Sequence, residues 1–140
     1  MNNLIRNLSQ EQRPDILRYL AENDFHVYEL DGENIIDRNT FRDSINKNLP
    51  QDPPLNREGY LSLDAFIDSI SVGLAFTEDY DDKYPDRQAI IWNHADRMAS
   101  HSPIDYHKIM TCFQDIIDSV STTQYGFPKP IKLLIFLLET

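Results

Sequence analysis

Two aspartates four residues apart, Asp64 and Asp68, are the residues of this sequence whose spacing most suggests chemistry. At about 100° per residue, the apolar positions around them predict one helix with a core stripe, and both carboxylates fall on a neighbouring face. Like charges at this spacing repel by a few tenths of a kcal/mol. The predicted helix, which runs from about Ser62 to Leu74, contains no Lys or Arg to offset that repulsion.

Two interpretations of this acidic face remain open. It can be a solvated surface beside the core, and if Ser62 is the N-cap then the helix dipole stabilises Asp64 in the first turn. Asp68 lies beyond the first turn and has no such structural reason. The functional interpretation is an anionic binding ridge, on which the small residue Ser71 lets a partner approach closely.

Charge and length restrict the partners that such a ridge could bind. The chain has 140 residues, with 13 Lys and Arg against 23 Asp and Glu, and a formal net charge of −10. The length suits a single domain. The negative charge disfavours nucleic acid and anionic membrane surfaces, because both carry the same sign. A basic protein is the natural electrostatic complement.

Several classes of protein are disfavoured by what the sequence lacks. Cys112 is the single cysteine, so no disulfide can form within the chain, and its place in an apolar-periodic helix predicts an inert core thiol. There is no phosphate-cradling glycine motif and no nucleophile elbow, so we predict no enzyme activity, catalytic residue, metal or cofactor. Without a signal-like or membrane-spanning apolar segment, the expected location is cytoplasmic.

The elements that must position the acidic face follow the order helix, strand, helix, helix, strand, helix, strand. This alternation predicts an α/β fold with a small three-stranded parallel sheet packed by helices. The run Ile131 to Leu138 is nearly all apolar, which is typical of a central strand covered on both faces. The other predicted strands are 25–30 and 89–92, and the main helices begin near Ser9, Asp37, Ser62 and Asp105.

A polar, acidic loop is predicted over roughly residues 77–87. It lacks the glycine and the distal glutamate of a calcium-binding EF-hand loop, so a solvated loop is the better interpretation. Its carboxylates would also extend the anionic surface beside the acidic helix.

The acidic helix resembles the inhibitor helix of the barstar family of intracellular ribonuclease inhibitors, on the strength of the sequence LDAFID at 63–68. Other matches keep the family's order along the chain. They are YELDG at 28–32, IIW at 90–92, FQD at 113–115 and the final apolar run. The resemblance covers about residues 25–138 and implies a barstar-like domain over 25–140, preceded by an N-terminal helical extension over 1–24.

The resemblance implies a function and a binding surface. Members of the family insert the acidic helix and its adjacent loop into the basic active site of a ribonuclease, where carboxylates take the places of substrate phosphates. By resemblance, Asp64 and Asp68 are the principal anchors, Asp115 is a third acidic contact, and Gly73 matches a glycine that follows the inhibitor helix. The predicted partner-binding residues are therefore Tyr60, Asp64, Asp68, Ser71, Gly73 and Asp115.

The predicted function is a protein inhibitor that is monomeric when free and binds a basic ribonuclease or nuclease toxin. Two alternatives remain open at this point. One is a metal-dependent hydrolase in which Asp64, Asp68 and Asp115 hold Mg²⁺ or Mn²⁺, because these cations prefer oxygen ligands. The other is an adaptor domain whose partner is not a nuclease.

Overall fold

The computed structural model describes residues 4–76 and 86–140. Its four strands form one parallel sheet in the order β1-β4-β3-β2. The α/β class and the parallel sheet are confirmed, but the prediction of three strands is wrong, because the sheet has four. The strands are β1 (Ile5–Ser9), β2 (His26–Asp31), β3 (Arg87–Asn93) and β4 (Lys132–Glu139).

The additional strand lies in the N-terminal segment that was predicted to be helical. β1 pairs with β4 from Ile5 opposite Ile135 to Ser9 opposite Glu139. As an edge strand β1 has one neighbour, and only Ile5 and Leu8 are partly buried, so its sequence shows little of the alternation that marks a strand. β4 lies between β1 and β3 with all its inner residues buried, which confirms its prediction as a central strand.

Local capping explains where the helices begin. Asp37 accepts a hydrogen bond from the Thr40 backbone N–H at 2.8 Å, and Ser62 accepts one from the Ala65 backbone N–H at 3.3 Å. Both N-caps confirm the sequence-based predictions. The short helix α4 was not predicted. The helices are α1 (Arg13–Glu22), α2 (Arg38–Asn48), α3 (Leu63–Ala75), α4 (Asp96–His101) and α5 (Pro103–Val120).

The sheet buries apolar side chains on both faces. The larger cluster joins α2, α3 and α5 to one face, with Phe41, Phe66, Trp92 and Phe113 fully buried at its centre. The smaller cluster packs α1 against the opposite face. It consists of Ile16, Leu20, Phe25, Ala89, Ile91, Leu134, Phe136 and Leu138. The strands therefore alternate side chains between two cores, as a parallel sheet covered on both sides does.

The division into an extension over 1–24 and a domain over 25–140 stays a prediction. Both β1 and α1 precede residue 25. β1 is an edge strand of the sheet, and α1 packs on one of its faces. Across the part of the chain that the structure describes, no helix is long and apolar enough to cross a membrane.

Candidate functional site

The helix α3 has two chemically different sides. Phe66, Ile70 and Leu74 are completely buried against the sheet and the neighbouring helices. Asp64 and Asp68 are exposed on the side that faces away from this core. The apolar spacing thus orients the helix, and burial of the apolar side leaves the two carboxylates facing solvent.

α5 adds the third predicted acid. It packs along α3 through the rings of Phe66 and Phe113, whose centroids are 5.8 Å apart. Asp115 is exposed on α5, close to Cys112, which is 4% exposed. Burial, and then the charges of Asp115 and Asp64, raise the pKa of the Cys112 thiol to about 11. Asp64 of α3 and Asp115 of α5 therefore both lie within electrostatic range of the same thiol.

None of these three acids has an ion-pair partner among the residues that the structure describes. Several other acids in the molecule do have an ion-pair partner. Asp105, at the start of α5, lies 2.7 Å from a terminal nitrogen of Arg38. The negative charge of the surface defined by Asp64, Asp68 and Asp115, here called the acidic face, is therefore not offset by an ion pair with any described residue.

Tyr60 lies in the loop that leads into α3 and is 70% exposed. The guanidinium of Arg38 stacks over its ring, with 4.2 Å from the guanidinium carbon to the ring centroid. Such a contact holds an aromatic ring in place while leaving its other side open. Tyr60 therefore supplies an exposed aromatic surface near the start of the acidic helix.

Two of the predicted binding residues are inside the protein. Ser71 is 4% exposed, and its hydroxyl has no hydrogen-bond partner among the described residues. Gly73 is buried where α3 meets the Pro50 backbone, and an added Cβ would lie 2.3 Å from the Pro50 carbonyl oxygen. The structure brings Tyr60, Asp64, Asp68 and Asp115 to the surface, whereas Ser71 and Gly73 let α3 pack closely against its neighbours.

Sequence reasoning missed two residues that support this site, Arg38 and Arg42. They are four residues apart on α2 and both are 6% exposed. Their guanidinium groups donate hydrogen bonds to the carbonyl oxygens of Leu61 and Gly59, in the loop before α3. The available signal was two arginines at the spacing that places both on one side of a helix, just after a capping aspartate.

The described residues contain no group of three or more His, Cys, Asp or Glu side chains arranged to hold a metal ion. Asp64, Asp68 and Asp115 thus do not form the metal centre that the hydrolase alternative requires. Most of the predicted acidic loop, residues 77–85, lies outside the described residues, and only Asp86 and Arg87 of that stretch are included.

Comparison with protein families gives a match over most of the chain. The family model described as Barstar (barnase inhibitor) matches residues 25–129. No curated protein and no solved structure matches the chain. The matched range contains α3 and α5 with their three acids, and it begins after β1 and α1.

Proposed function

The chain belongs to the barstar family, and on that premise we propose that it inhibits a ribonuclease or a nuclease toxin. The acidic face enters the enzyme's basic active site, and its carboxylates take the positions of RNA phosphates. Inhibition is then competitive, because substrate and inhibitor need the same cationic groups. The proposal includes a monomeric free state and a cytoplasmic location, where the cell's own RNA needs protection.

The observation that carries the proposal is the uncompensated charge of the acidic face. Asp64, Asp68 and Asp115 come from two helices that pack together, are exposed, and have no ion-pair partner among the described residues. Carboxylates in this state can form bidentate, charge-assisted hydrogen bonds with Arg side chains. A nuclease must offer such cations, since it binds phosphates.

The overall charge supports fast capture of a basic enzyme. A chain with a net charge of −10 attracts a positively charged cleft before contact. Complementary fields raise association rate constants toward about 10⁸–10⁹ M⁻¹s⁻¹ at low salt. Speed matters for an inhibitor that must reach the nuclease before RNA does.

In this proposal the predicted binding residues have two roles. Tyr60 contributes an exposed ring at the edge of the acidic face and can stack on a flat group of the enzyme. Ser71 and Gly73 act from inside, because their small size lets α3 sit close to the Pro50 backbone and to its other neighbours. Direct contact with the enzyme is assigned to the four exposed residues.

The direct test is a titration of the full chain into RNA cleavage by barnase and by a panel of small basic ribonucleases and nuclease toxins. Wild type and the Asp68→Ala variant are compared with Glu22→Ala, which removes one exposed charge from α1 on the opposite face of the sheet. We expect wild type and Glu22→Ala to inhibit alike. Asp68→Ala should lose about 1.5–7 kcal/mol of binding, the range known for close charge pairs between barnase and barstar.

Two outcomes would contradict the proposal. One is the absence of inhibition across the panel, and the other is equal inhibition by Asp68→Ala and wild type. Association rates for an inhibited enzyme supply a second check. They should fall steeply as salt is added, because screening shortens the range of the attraction, and a flat response would exclude electrostatic steering.

A further inference from the structure

Two buried arginines of α2 contact the loop that enters the acidic helix. Arg38 donates from one terminal nitrogen to the Leu61 carbonyl oxygen at 3.1 Å and from the other to Asp105 at 2.7 Å. Arg42 donates to the Gly59 carbonyl oxygen. The loop tip is thus tied to α2 at two points, and through Asp105 it is tied to α5 as well.

The stability of the core accounts for one of these contacts and not for the other. Leu61 is fully buried, so its carbonyl oxygen needs a donor inside the protein, whereas Gly59 is exposed and water could satisfy its carbonyl without any arginine. Burying a guanidinium is unfavourable unless all its donors are paired, and the Nε atoms of Arg38 and Arg42 have no partner among the described residues. The two side chains therefore lie in unfavourable surroundings, and beyond the buried Leu61 carbonyl they contact an exposed tip, Gly59 and Tyr60, that folding alone could leave free.

The rest of the loop has anchors of its own. Leu55 is 7% exposed, and its backbone N–H donates to the Gln51 side chain at 2.9 Å. The Ser69 hydroxyl of α3 donates to the Pro53 carbonyl at 2.6 Å. These contacts fix the loop up to about residue 55. Leu61 is anchored by its own burial in the larger cluster, and between residue 55 and Leu61 the arginines contact the exposed tip.

We propose that Arg38 and Arg42 are positioning residues, which hold residues 59–61 in one conformation before any partner arrives. Arg38 then fixes the ring of Tyr60 by stacking on it, and Arg42 fixes the turn at Gly59, whose φ is +81°. The inference rests on the proposed function, because it explains how the edge of the acidic face is preformed for binding. Preformed contacts bind more tightly because the loop does not have to be ordered during association.

The first test needs no nuclease. Backbone ¹⁵N order parameters are measured for wild type, Arg38→Lys, Arg42→Lys and the control Arg13→Lys. Lysine keeps the positive charge but cannot form the two-pronged guanidinium contact. The control makes the same change in the Arg13–Glu29 pair, which lies in another part of the molecule.

For residues 57–60 we expect order parameters of about 0.85 in wild type and in the control, and below about 0.6 in the two loop variants. Residues of the sheet should stay rigid in all four proteins. A loop that stays as rigid as wild type in both variants would overturn the proposal, and so would loosening that spreads equally through the sheet. If Arg38→Lys does not fold, the test uses Arg42→Lys. Apart from the Gly59 carbonyl, the Arg42 guanidinium pairs only with the carboxylate of Asp43 among the described residues, and Asp43 is exposed, so its loss should not unfold the protein.

The second test separates positioning from general support, using an enzyme inhibited by wild type as the probe. Arg42→Lys should weaken binding by about three- to tenfold in the wild-type background. In a Tyr60→Ala background the same change should weaken it less than about twofold, because the residue being positioned is gone. Equal losses in both backgrounds would refute positioning. The order parameters test the loop even if no enzyme is inhibited, so the two proposals can fail independently.

Discussion

The helices α1 and α3 pack on opposite faces of one sheet, and they differ in whether their charged residues form ion pairs. On α1, Asp15 pairs with Arg18 at 2.9 Å and Arg13 pairs with Glu29 of β2 at 2.8 Å. On α3, the exposed acids have no ion-pair partner within the described residues. Both helices bury an apolar side in the same way, so the difference lies only on the solvent side.

This contrast separates what folding requires from what binding requires. Apolar burial holds both helices, since it is the dominant favourable contribution to folding. The repulsion between like charges four residues apart, such as Asp64 and Asp68, costs a few tenths of a kcal/mol on an isolated helix. Under the proposed function, the outer side of α3 serves recognition of a partner, whereas on α1 the residues Arg13, Asp15 and Arg18 are used in ion pairs.

The largest expected effect is on the buried side of α3. Phe66→Ala should lower the free energy of unfolding by about 3–5 kcal/mol, because the ring is fully buried between Phe41 and Phe113 and leaves a cavity. Denaturant unfolding followed by circular dichroism measures the change. A loss below about 1 kcal/mol would mean that α3 is not held by this cluster.

The corresponding test on α1 is Leu20→Ala. Leu20 is fully buried in the smaller cluster, so its truncation should lower the free energy of unfolding by about 2–5 kcal/mol. We expect a smaller loss than for Phe66, because less of a side chain is removed. A loss within about 0.5 kcal/mol, as for a surface site, would show that residues 1–24 are an appendage whose packing the sheet does not need.

Asp37, the N-cap of α2, differs from the acids of the acidic face because its carboxylate stabilises the folded state. Hydrogen bonds from the Thr40 backbone N–H, and then from its hydroxyl, hold the pKa of the Asp37 carboxyl below its usual value of 3.8. A lowered folded-state pKa means that the stabilisation is present above the unfolded-state pKa and is lost as pH falls through the folded-state pKa.

Asp37→Ala should therefore be less stable than wild type by about 1 kcal/mol near neutral pH. The gap should shrink in acid, below the usual carboxyl pKa of 3.8. Asp37→Asn is the matched control, because asparagine caps a helix about as well without an ionisable group. Urea unfolding at several pH values measures the gap, and a gap that stays constant into acid would contradict the assigned role.

The smallest effect compares one acid from each helix. Asp68→Asn should raise the free energy of unfolding by a few tenths of a kcal/mol at low salt, because it removes the repulsion with Asp64. Asp15→Asn should lower it by a similar amount, because it weakens the pair with Arg18. Both changes should vanish in high salt. If Asp68→Asn is destabilising instead, the aspartate has a structural partner and the contrast between the helices is wrong.

Much of the fold could be predicted because it depends on neighbouring residues. The helix caps at Asp37 and Ser62 and the two sides of α3 follow from spacings of three and four residues. β1 could not be predicted in this way. Its hydrogen bonds come from β4, at the other end of the chain, and its own side chains are mostly exposed.

For the candidate site, the sequence by itself determined that α3 turns its acids away from its apolar side, because helical periodicity is a local property. The tertiary structure alone decided that Asp115 and Asp64 both act on the Cys112 thiol, that Ser71 and Gly73 are inside, and that Arg38 and Arg42 reach the loop before α3. These outcomes depend on which elements pack together. Contacts between elements distant in sequence leave no periodic pattern in either one, so only the folded chain reveals them.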